Sequence, residues 1–482
     1  MIIDDYLELQ QKYEKQYGPH TVVLMEVGSF YELYGVNNRE HNIGKVEEIA
    51  SLLDIQMTRK NKKILENSFK NPLLAGFPSF CLQKYLERLV QHDFTVVVAE
   101  QDRPGSGANR NVTGIYSPGV YLESSPMDNR FLMICYFENH DTYKKDVAIG
   151  VTLLDITTGE SRLYEFYPRP EDSLYSLDQL YRLIQNHQPP EVVCTGQFPQ
   201  IYLEGDSRDI SSFEQQLSIC GRKTHHLWET KKYDNIEYQQ SVLDKYFPDH
   251  GLLSVLEFLD LERHPYSLKS FLTGLDFVYQ HLPNVLQFLS KPKIIDEESR
   301  LILSRDSAIQ LHVISDLNSV DISKKKGCLL EIVNYTRTPM GKRMLRDRLL
   351  SPVTNKKILE DRYDEIDSVG GIQETLVKHL TGIIDMERLH RRALLRKMAP
   401  TQFYNLDQCF SQILTLVDIM CTKTTQPTFY KSLKEYINIY KKELCLDKCM
   451  LWNLDQIDQN PFNHGVHETL DNYQLEIEKK IS

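Results

Sequence analysis

No apolar run in the 482-residue sequence approaches the roughly 20 residues needed to span a bilayer; the longest, such as Thr21 to Val27, are strand-length. No secretory leader is expected either, because Asp4, Asp5 and Glu8 stand where its apolar core would be. The nine cysteines lack framework spacing, which suits reduced thiols in an intracellular protein of undetermined compartment. Positive charge is in deficit, with 56 Lys+Arg against 67 Asp+Glu and a net charge of −11. That excludes a protein that coats nucleic acid indiscriminately, so any nucleic-acid contact must be local. Internal repeats and low-complexity tracts are missing too. What remains is 41% hydrophobic and 26% charged, the composition of a globular chain with sizeable cores. At roughly 100–200 residues per domain, the length predicts three or four domains.

Several chemistries are absent. A phosphate-binding loop needs Gly-x-x-x-x-Gly-Lys-Ser/Thr, so that backbone amides and the Lys cradle phosphates. The nearest match, Met340-Gly341-Lys342-Arg343, lacks the first Gly and the hydroxyl residue. As it stands the sequence therefore predicts no ATPase, no catalytic residue and no bound cofactor. Metal sites are poor: Cys445 with Cys449, His464 with His467, and Cys220 with His225 and His226 all lack a convincing partner set. Buried Cys and surface His are the plainer reading, so no metal is expected. One enzymatic option is a metal-dependent nuclease. Strands at 131–136, 147–154 and about 161–166, followed by a helix from Ser173, resemble the opening of a ribonuclease-H-type sheet. Asp155 ends the second of these strands, but two-metal hydrolysis needs converging carboxylates and only Glu160 and Glu165 follow. A solvated turn over Asp155–Glu160 is the simpler reading.

Two textures meet near residue 245. Before it, β-rich runs (Thr21 to Val27, Thr95 to Ala99, Phe131 to Tyr136, Val147 to Leu154, Glu191 to Cys194) alternate with helices. Val46, Ile49, Ala50 and Leu53 give one helical stripe; Leu82, Tyr85, Leu86, Leu89 and Val90 give another. After it the sequence reads as helix almost throughout. The loop Asp102 to Gly107 and the turn Ser117-Pro118-Gly119 mark a second seam. The expectation is a multidomain α/β plus all-α chain: one α/β domain at 1–120, another at 121–245, then an extended helical framework.

Strand 21–27 runs into Gly28-Ser29-Phe30-Tyr31-Glu32-Leu33-Tyr34-Gly35. Taken alone, Phe30 and Tyr34 read as core and Glu32 as a solvated rim residue. A wedge aromatic beside a hydrogen-bonding side chain is also what a DNA-kinking protein needs: the ring replaces lost stacking, and the polar group tests the displaced base. The ordered set that follows decides between them. Leu52-Leu53-Asp54-Ile55-Gln56-Met57-Thr58-Arg59, Pro72 to Pro78, Lys84 to Val90, Val96 to Gln101, Val112-Thr113 and Ser117-Pro118-Gly119 come next. In order and spacing they resemble the N-terminal mismatch-recognition domain of the MutS family of DNA mismatch repair proteins. Gly327 to Val353 and Asp385 to Ala393 resemble that family's core segments, and the resemblance extends over essentially the whole chain.

The resemblance implies a mixed-sheet mismatch-recognition (wedge) domain at 1–120 and a ribonuclease-H-like connector at 121–245. It further implies an extended helical lever core at 246–455 and the start of a clamp region at 456–482. It implies that Phe30 stacks on a mispaired base from the minor groove and that Glu32 hydrogen-bonds that base. The implied partner is double-stranded DNA with mismatches. In the full-length family protein, a homodimer would use ATP and Mg to become a sliding clamp that recruits downstream repair proteins; no membrane is involved. Arg59, Lys60, Lys62 and Lys63 form a basic loop suited to phosphates, or simply a solvated one. Lys324, Lys325, Lys326, Arg337, Lys342, Arg343, Arg346 and Arg348 are tempting as a DNA surface, but the resemblance favours a structural junction of lever helices. Thr338 with Pro339 should start a helix there and Ser351-Pro352 end it.

Some positions depart from the family pattern. Gly114 stands where an Arg is common, Lys60 to Asn71 is extended, and Tyr34 to Asn38 replaces an acidic pair. These features resemble the branch known from large DNA viruses and coral mitochondria. The chain stops at Ser482 inside the segment that resembles the clamp, which predicts a recognition half without its ATPase. A helical protein-interaction scaffold is the remaining alternative to the mismatch-recognition and nuclease readings.

Overall fold

A computed structural model describes residues 2–38, 41–64, 66–101, 110–122, 130–139, 147–197, 217, 223–227, 230–295, 300, 301, 303, 305–314, 327–421, 427–450 and 460–481. The loop at Asp102 to Gly107, Cys220 and the run Lys324 to Lys326 lie outside the described residues. The chain divides into two compact units, residues 1–295 and 296–482.

The first unit holds two sheets. One has the order β4-β5-β2-β1-β6-β7, with β3 (Asn42–Ile43) paired to β2. Its strands are β1 (Thr21–Val27), β2 (Phe30–Asn37), β4 (Met57–Arg59), β5 (Leu73–Pro78), β6 (Thr95–Gln101) and β7 (Arg110–Tyr116). Only β1 and β6 run parallel. The valine-rich runs of β1 and β6 are central and buried, as strands covered on both faces must be. Helices α1 (Ile2–Tyr17), α2 (Val46–Leu53) and α3 (Leu82–Gln91) supply the cover. α2 and α3 bury the apolar stripes expected of them, Val46, Ile49, Ala50 and Leu53, and Leu86, Leu89 and Val90. α1 adds Tyr6, Leu7 and Tyr13 to the same core, with Gln10 clamped between Thr21 O (2.8 Å) and Val23 N (2.9 Å).

The second sheet has the order β12-β11-β8-β9-β10-β13. β8 (Leu132–Asn139), β9 (Val147–Asp155) and β10 (Glu160–Phe166) form an antiparallel meander. β11 (Glu191–Gly196) and β12 (Lys223–Leu227) extend it in parallel, the mixed sheet that a ribonuclease-H-like body calls for. Helix α4 (Tyr175–His187) packs on it. The sheet does not stop at residue 245. β13 (Lys293–Ile294) pairs with β10, and the helix Pro265–His281 buries Leu268, Phe271, Leu272, Leu275, Phe277 and Val278. Its Ser270 Oγ meets Thr152 Oγ1 of β9 at 2.7 Å, and its first amides donate to Glu165 of β10 (Tyr266 N 3.0 Å, Ser267 N 2.8 Å). Residues 246–295 therefore pack with this sheet. Read as sequence, a helix that covers a sheet looks the same as one that joins a helical framework.

The seam at Ser117-Pro118-Gly119 is fastened to the second sheet by Glu191, whose exposure is 0%. Its Oε2 accepts from Ser117 Oγ (2.6 Å) and Gly119 N (2.8 Å), and His225 Nε2 donates to Oε1 at 2.6 Å. Lys223 bonds Thr95 Oγ1 across the same seam. Tyr17, at the end of α1, lies edge-on to His281 (5.0 Å) and His225 (5.8 Å). Burial opposes ionisation of Glu191, but the hydrogen bond from His225 and the charges of His225, His281 and Lys223 outweigh it and hold Glu191 down to about 2. Burial pushes His281 down to about 4 and Lys223 down to about 8.

The second unit is helical. Pro339–Leu350 starts as expected, with Gly341 N donating to Thr338 Oγ1 at 3.0 Å and Pro339 in its first turn, and it ends before Pro352. Lys356–Ser368, Gln373–Leu380, Met386–Leu394, Pro400–Met420 and Phe429–Glu443 follow. A small core of Leu389, Leu406, Phe410, Ile437 and Tyr440 joins the last three of these. No helix among the described residues is long and apolar enough to cross a membrane.

Candidate nucleic-acid interface

Phe30 does not trail from the end of a strand; it opens one. β1 and β2 form a hairpin in which Val27 pairs with Phe30 around Gly28-Ser29. Gly28 has φ +65°, a conformation that costs glycine little and makes this two-residue turn possible. Ser29 O accepts from Ser79 N at 2.9 Å, tying the tip to the turn after β5. Along β2, side chains alternate between faces. Tyr31 and Leu33 enter the core on one face, while Phe30, Glu32 and Tyr34 share the other, where Tyr34 is itself buried against Tyr6. Phe30 is 45% exposed, an aromatic ring at the tip of a hairpin. Beside it, two residues past its register partner Pro78, Phe80 is 85% exposed.

Glu32 is held from both sides. Tyr34 donates its phenol O–H to Glu32 Oε2. On β5 the paired residue is Gly76, where a Cβ would come within 2.8 Å of Tyr31 O and 3.3 Å of Glu32 Cγ. Glycine thus makes room for the carboxylate stem. Arg110, at the start of β7, donates from Nε to Glu26 O at 2.8 Å, and its charge bears on Tyr34.

The basic loop is elsewhere. Arg59 pairs with Leu73, which pairs with Gly35, at the far end of β2 from Phe30. At about 3.4 Å per residue, five residues separate the two by roughly 17 Å along the strand. Lys60, Lys62 and Lys63 are exposed, and the loop is shaped by buried Asn71. Asn71 accepts from Asn61 N (2.7 Å) and donates to Ile64 O (3.0 Å) and Glu66 O (3.1 Å). The structure brings Phe30 and Glu32 together and sets Arg59, Lys60, Lys62 and Lys63 apart. Tyr34, Gly76 and Asn71 carry no recognition signal in sequence, because their roles depend on cross-strand register.

The nuclease carboxylates do not converge on a metal site. Asp155 ends β9 and leads into the turn, but it is not solvated, since it is 1% exposed. Its Oδ1 accepts from Thr157 N (2.9 Å) and Thr157 Oγ1 (2.6 Å), and the segment leading to β13 lies beside the turn, with Ser290 N donating to Gly159 O at 3.1 Å. These local hydrogen bonds offset part of the cost of burying the carboxylate. Glu160 pairs with Arg162 (3.2 Å) and Lys293 (3.1 Å), and Glu165 caps the helix Pro265–His281. Among the described residues no group of three or more His, Cys, Asp or Glu could hold a metal. Cys449 is buried, and His464 pairs with Asp471 at 3.1 Å.

In the second unit, Arg343 is a junction. Its guanidinium bonds Asp385 twice (2.6 and 3.0 Å) and Glu387 once (2.5 Å), and its side chain is 6% exposed. Arg343 holds the Asp385 carboxyl below the usual range against the opposing effect of burial.

A family model described as MutS domain I matches residues 2–125, and one described as MutS domain III matches residues 306–480. The chain belongs to the MutS family. It is 31% identical over 504 residues to a mutS homologue of Acanthamoeba polyphaga mimivirus, covering 98% of this chain and 45% of the viral protein. It is 22% identical to a DNA mismatch repair protein MutS of Clostridioides difficile (91% of this chain, 41% of that protein). It is 23% identical to one of Thermodesulfovibrio yellowstonii (98% and 49%). The chain spans just under half the length of these MutS relatives. The mixed sheets of its first unit and the helices of its second fit a MutS architecture. The hairpin bearing Phe30 and Glu32 lies inside the match to MutS domain I, and the Arg343 junction inside that to domain III.

Proposed function

We propose that this chain recognises mispaired double-stranded DNA, inserting Phe30 at the mispair from the minor groove while Glu32 accepts a hydrogen bond from the displaced base. The observation that carries the reading is the half-exposed Phe30 ring at a hairpin tip, beside a carboxylate already fixed by Tyr34. The minor groove presents a degenerate pattern, so a mispair is better sensed through ease of kinking than through base identity. Opening a base step costs about a few kcal/mol. Stacking on an aromatic ring returns about 1–3 kcal/mol, enough to offset the opening of a mispaired step. A matched step also loses its pairing and stays closed. Arg59, Lys60, Lys62 and Lys63, roughly 17 Å along β2, hold backbone phosphates away from the wedge. With a net charge of −11, affinity rests on these few contacts and on deformability.

Recognition on this reading needs no nucleotide, and residues 1–482 bind DNA without hydrolysing ATP. In the whole protein, dimerisation, ATP-driven switching and downstream repair partners would follow the recognition step. Fluorescence anisotropy with matched and mismatched duplexes tests the wedge. Phe30→Ala should lower the mismatch preference about 5- to 150-fold, the equivalent of about 1–3 kcal/mol, with the melting transition unchanged. Discrimination that survives Phe30→Ala would overturn the assignment.

A further inference from the structure

The turn that follows β5 carries a second aromatic ring into solvent. Ser79–Cys81 forms a single 3-10 turn whose backbone continues into α3, with Cys81 at φ −88°, ψ −2° and Leu82 at φ −49°, ψ −51°. Phe80 in this turn is 85% exposed, the most exposed of the described phenylalanines. Its place beside Phe30 is set by the backbone: Pro78 is the register partner of Phe30, and Ser79 N donates to Ser29 O at 2.9 Å. Paired Cα atoms lie about 5 Å apart and consecutive ones about 3.8 Å. The Cα atoms of Phe30 and Phe80 are therefore within roughly 13 Å, about four base steps of a duplex. Scattered apolar side chains are ordinary on a folded surface, but two phenylalanine rings on adjoining turns at one end of a sheet form a patch. Positive charge continues it. Lys84 and Arg88 follow Phe80 at intervals of four, on the side of α3 away from the buried Leu86, Leu89 and Val90, and both are exposed. Lys84 Nζ lies 5.5 Å from the Tyr85 ring. The one acid of α3, Glu87, accepts from Gln91 Nε2 at 3.1 Å.

We infer that Phe80 is a second DNA contact, a positioning residue that lies in the minor groove beside the step opened by Phe30, with Lys84 on a phosphate of the same flank. The inference rests on the wedge reading of Phe30 and extends the interface from β2 onto the start of α3. An undeformed minor groove is about 6 Å wide, whereas a wedge that kinks the duplex toward the major groove opens it. Phe80 thus gains its burial only on DNA that Phe30 has kinked, and it holds the kink by filling the widened groove. Lys84 meets a phosphate on any duplex. Phe80 thereby adds to discrimination and Lys84 to affinity.

The test is fluorescence anisotropy with matched and mismatched duplexes, with a dye pair on the duplex ends to report the kink by energy transfer. Phe80→Ala should weaken binding to the mismatched duplex about tenfold, the lower end for burying a phenylalanine ring. It should also reduce the energy transfer, with matched-duplex affinity and the melting transition unchanged. Phe80→Trp should restore mismatch affinity. Its emission, taken as the difference from the native chain with its two tryptophans, should change on adding mismatched duplex and not matched. Lys84→Gln should weaken both duplexes alike and flatten the plot of log affinity against log salt by about 0.9. The inference is overturned if Phe80→Ala binds and bends mismatched DNA as the native chain does, if it loses equally on both duplexes, or if the Phe80→Trp emission ignores mismatched DNA. An unchanged salt dependence in Lys84→Gln would remove the phosphate contact. Phe30→Ala run in parallel separates the two claims. If it keeps the mismatch preference, the wedge reading has failed; if it loses that preference while Phe80→Ala behaves as native, only the second contact has.

Discussion

Glu191→Gln keeps the shape of a fully buried side chain and removes one negative charge from the seam between the two sheets. Three donors converge on that charge, Ser117 Oγ, Gly119 N and His225 Nε2, and a glutamine oxygen cannot face both sides of the cluster. The carboxyl titrates at about 2 against an ordinary 4.5, because His225, His281 and Lys223 together outweigh its burial. That gap corresponds to about 3 kcal/mol at 1.36 kcal/mol per pH unit. Breaking a buried pair by removing one partner typically costs about 3–5 kcal/mol. The Gln variant should therefore unfold about 3 kcal/mol more easily at neutral pH. The sign follows from the depressed folded value: the contribution is complete above about pH 4.5 and is lost as pH falls towards 2. The gap between native and variant should close over that window. His281 adds a slope of its own, which in the variant should reach to lower pH because the Glu191 charge that raises His281 against its burial is gone. Burial holds it at about 4, so the unfolded chain takes up its proton first, and stability declines from pH 6.5 down to 4. Urea denaturation followed by circular dichroism at pH 7, 5 and 3 measures the difference. A difference that persists undiminished at pH 3, or is absent at pH 7, would refute the account of Glu191 as an ionic fastener.

Three other outcomes are expected. Arg343→Lys should destabilise the helical unit by about 1.5–3 kcal/mol in thermal melts, because an ammonium cannot reproduce the forked contact with Asp385 and Glu387 and leaves the half-buried Asp385 carboxylate underpaired. Neutralising Lys60, Lys62 and Lys63 together should weaken matched and mismatched DNA alike. It should also flatten the plot of log affinity against log salt by about 0.9 for each phosphate that these lysines no longer neutralise. A fragment of residues 1–245 should be insoluble or unfolded where 1–295 is folded, as proteolysis would show. Removing Leu268, Phe271, Leu272, Leu275, Phe277 and Val278 forfeits about 1.5–3 kcal/mol for each buried side chain, as much in sum as a domain's whole stability.

Much of the first sheet is legible in sequence because its central strands are runs of valine and leucine that nothing but a covered strand accommodates. β1 and the start of β6 fall where those runs do. α1 is not legible in the same way. Its buried stripe leans on Tyr6, Gln10, Tyr13 and Tyr17, residues whose apolar or polar role is settled only by what they meet. Gln10 is fully buried, yet its value lies in completing the backbone bonds of β1. Phe30 and Glu32 stand out as a local pattern, whereas their support comes from across the sheet, from Gly76 and the tip contact of Ser79. The carboxylates Asp155, Glu160 and Glu165 show the converse. As sequence they look like a candidate metal set, and in space each is committed to a different structural task.

The row Phe30, Glu32, Tyr34 has a consequence for how such a site can change. Membership of the row is a matter of parity, since even positions of β2 share one face, open at Phe30, half-open at Glu32 and closed over at Tyr34. Deleting one residue between Phe30 and Tyr34 would not move the site by the roughly 3.4 Å of one step; it would turn the site inside out, sending Leu33 to solvent and the carboxylate into the core. Substitution can therefore retune the chemistry offered to DNA one position at a time, while the length of β2 is closed to variation. A lineage can rewrite the letters of this hairpin, but it cannot change their spacing.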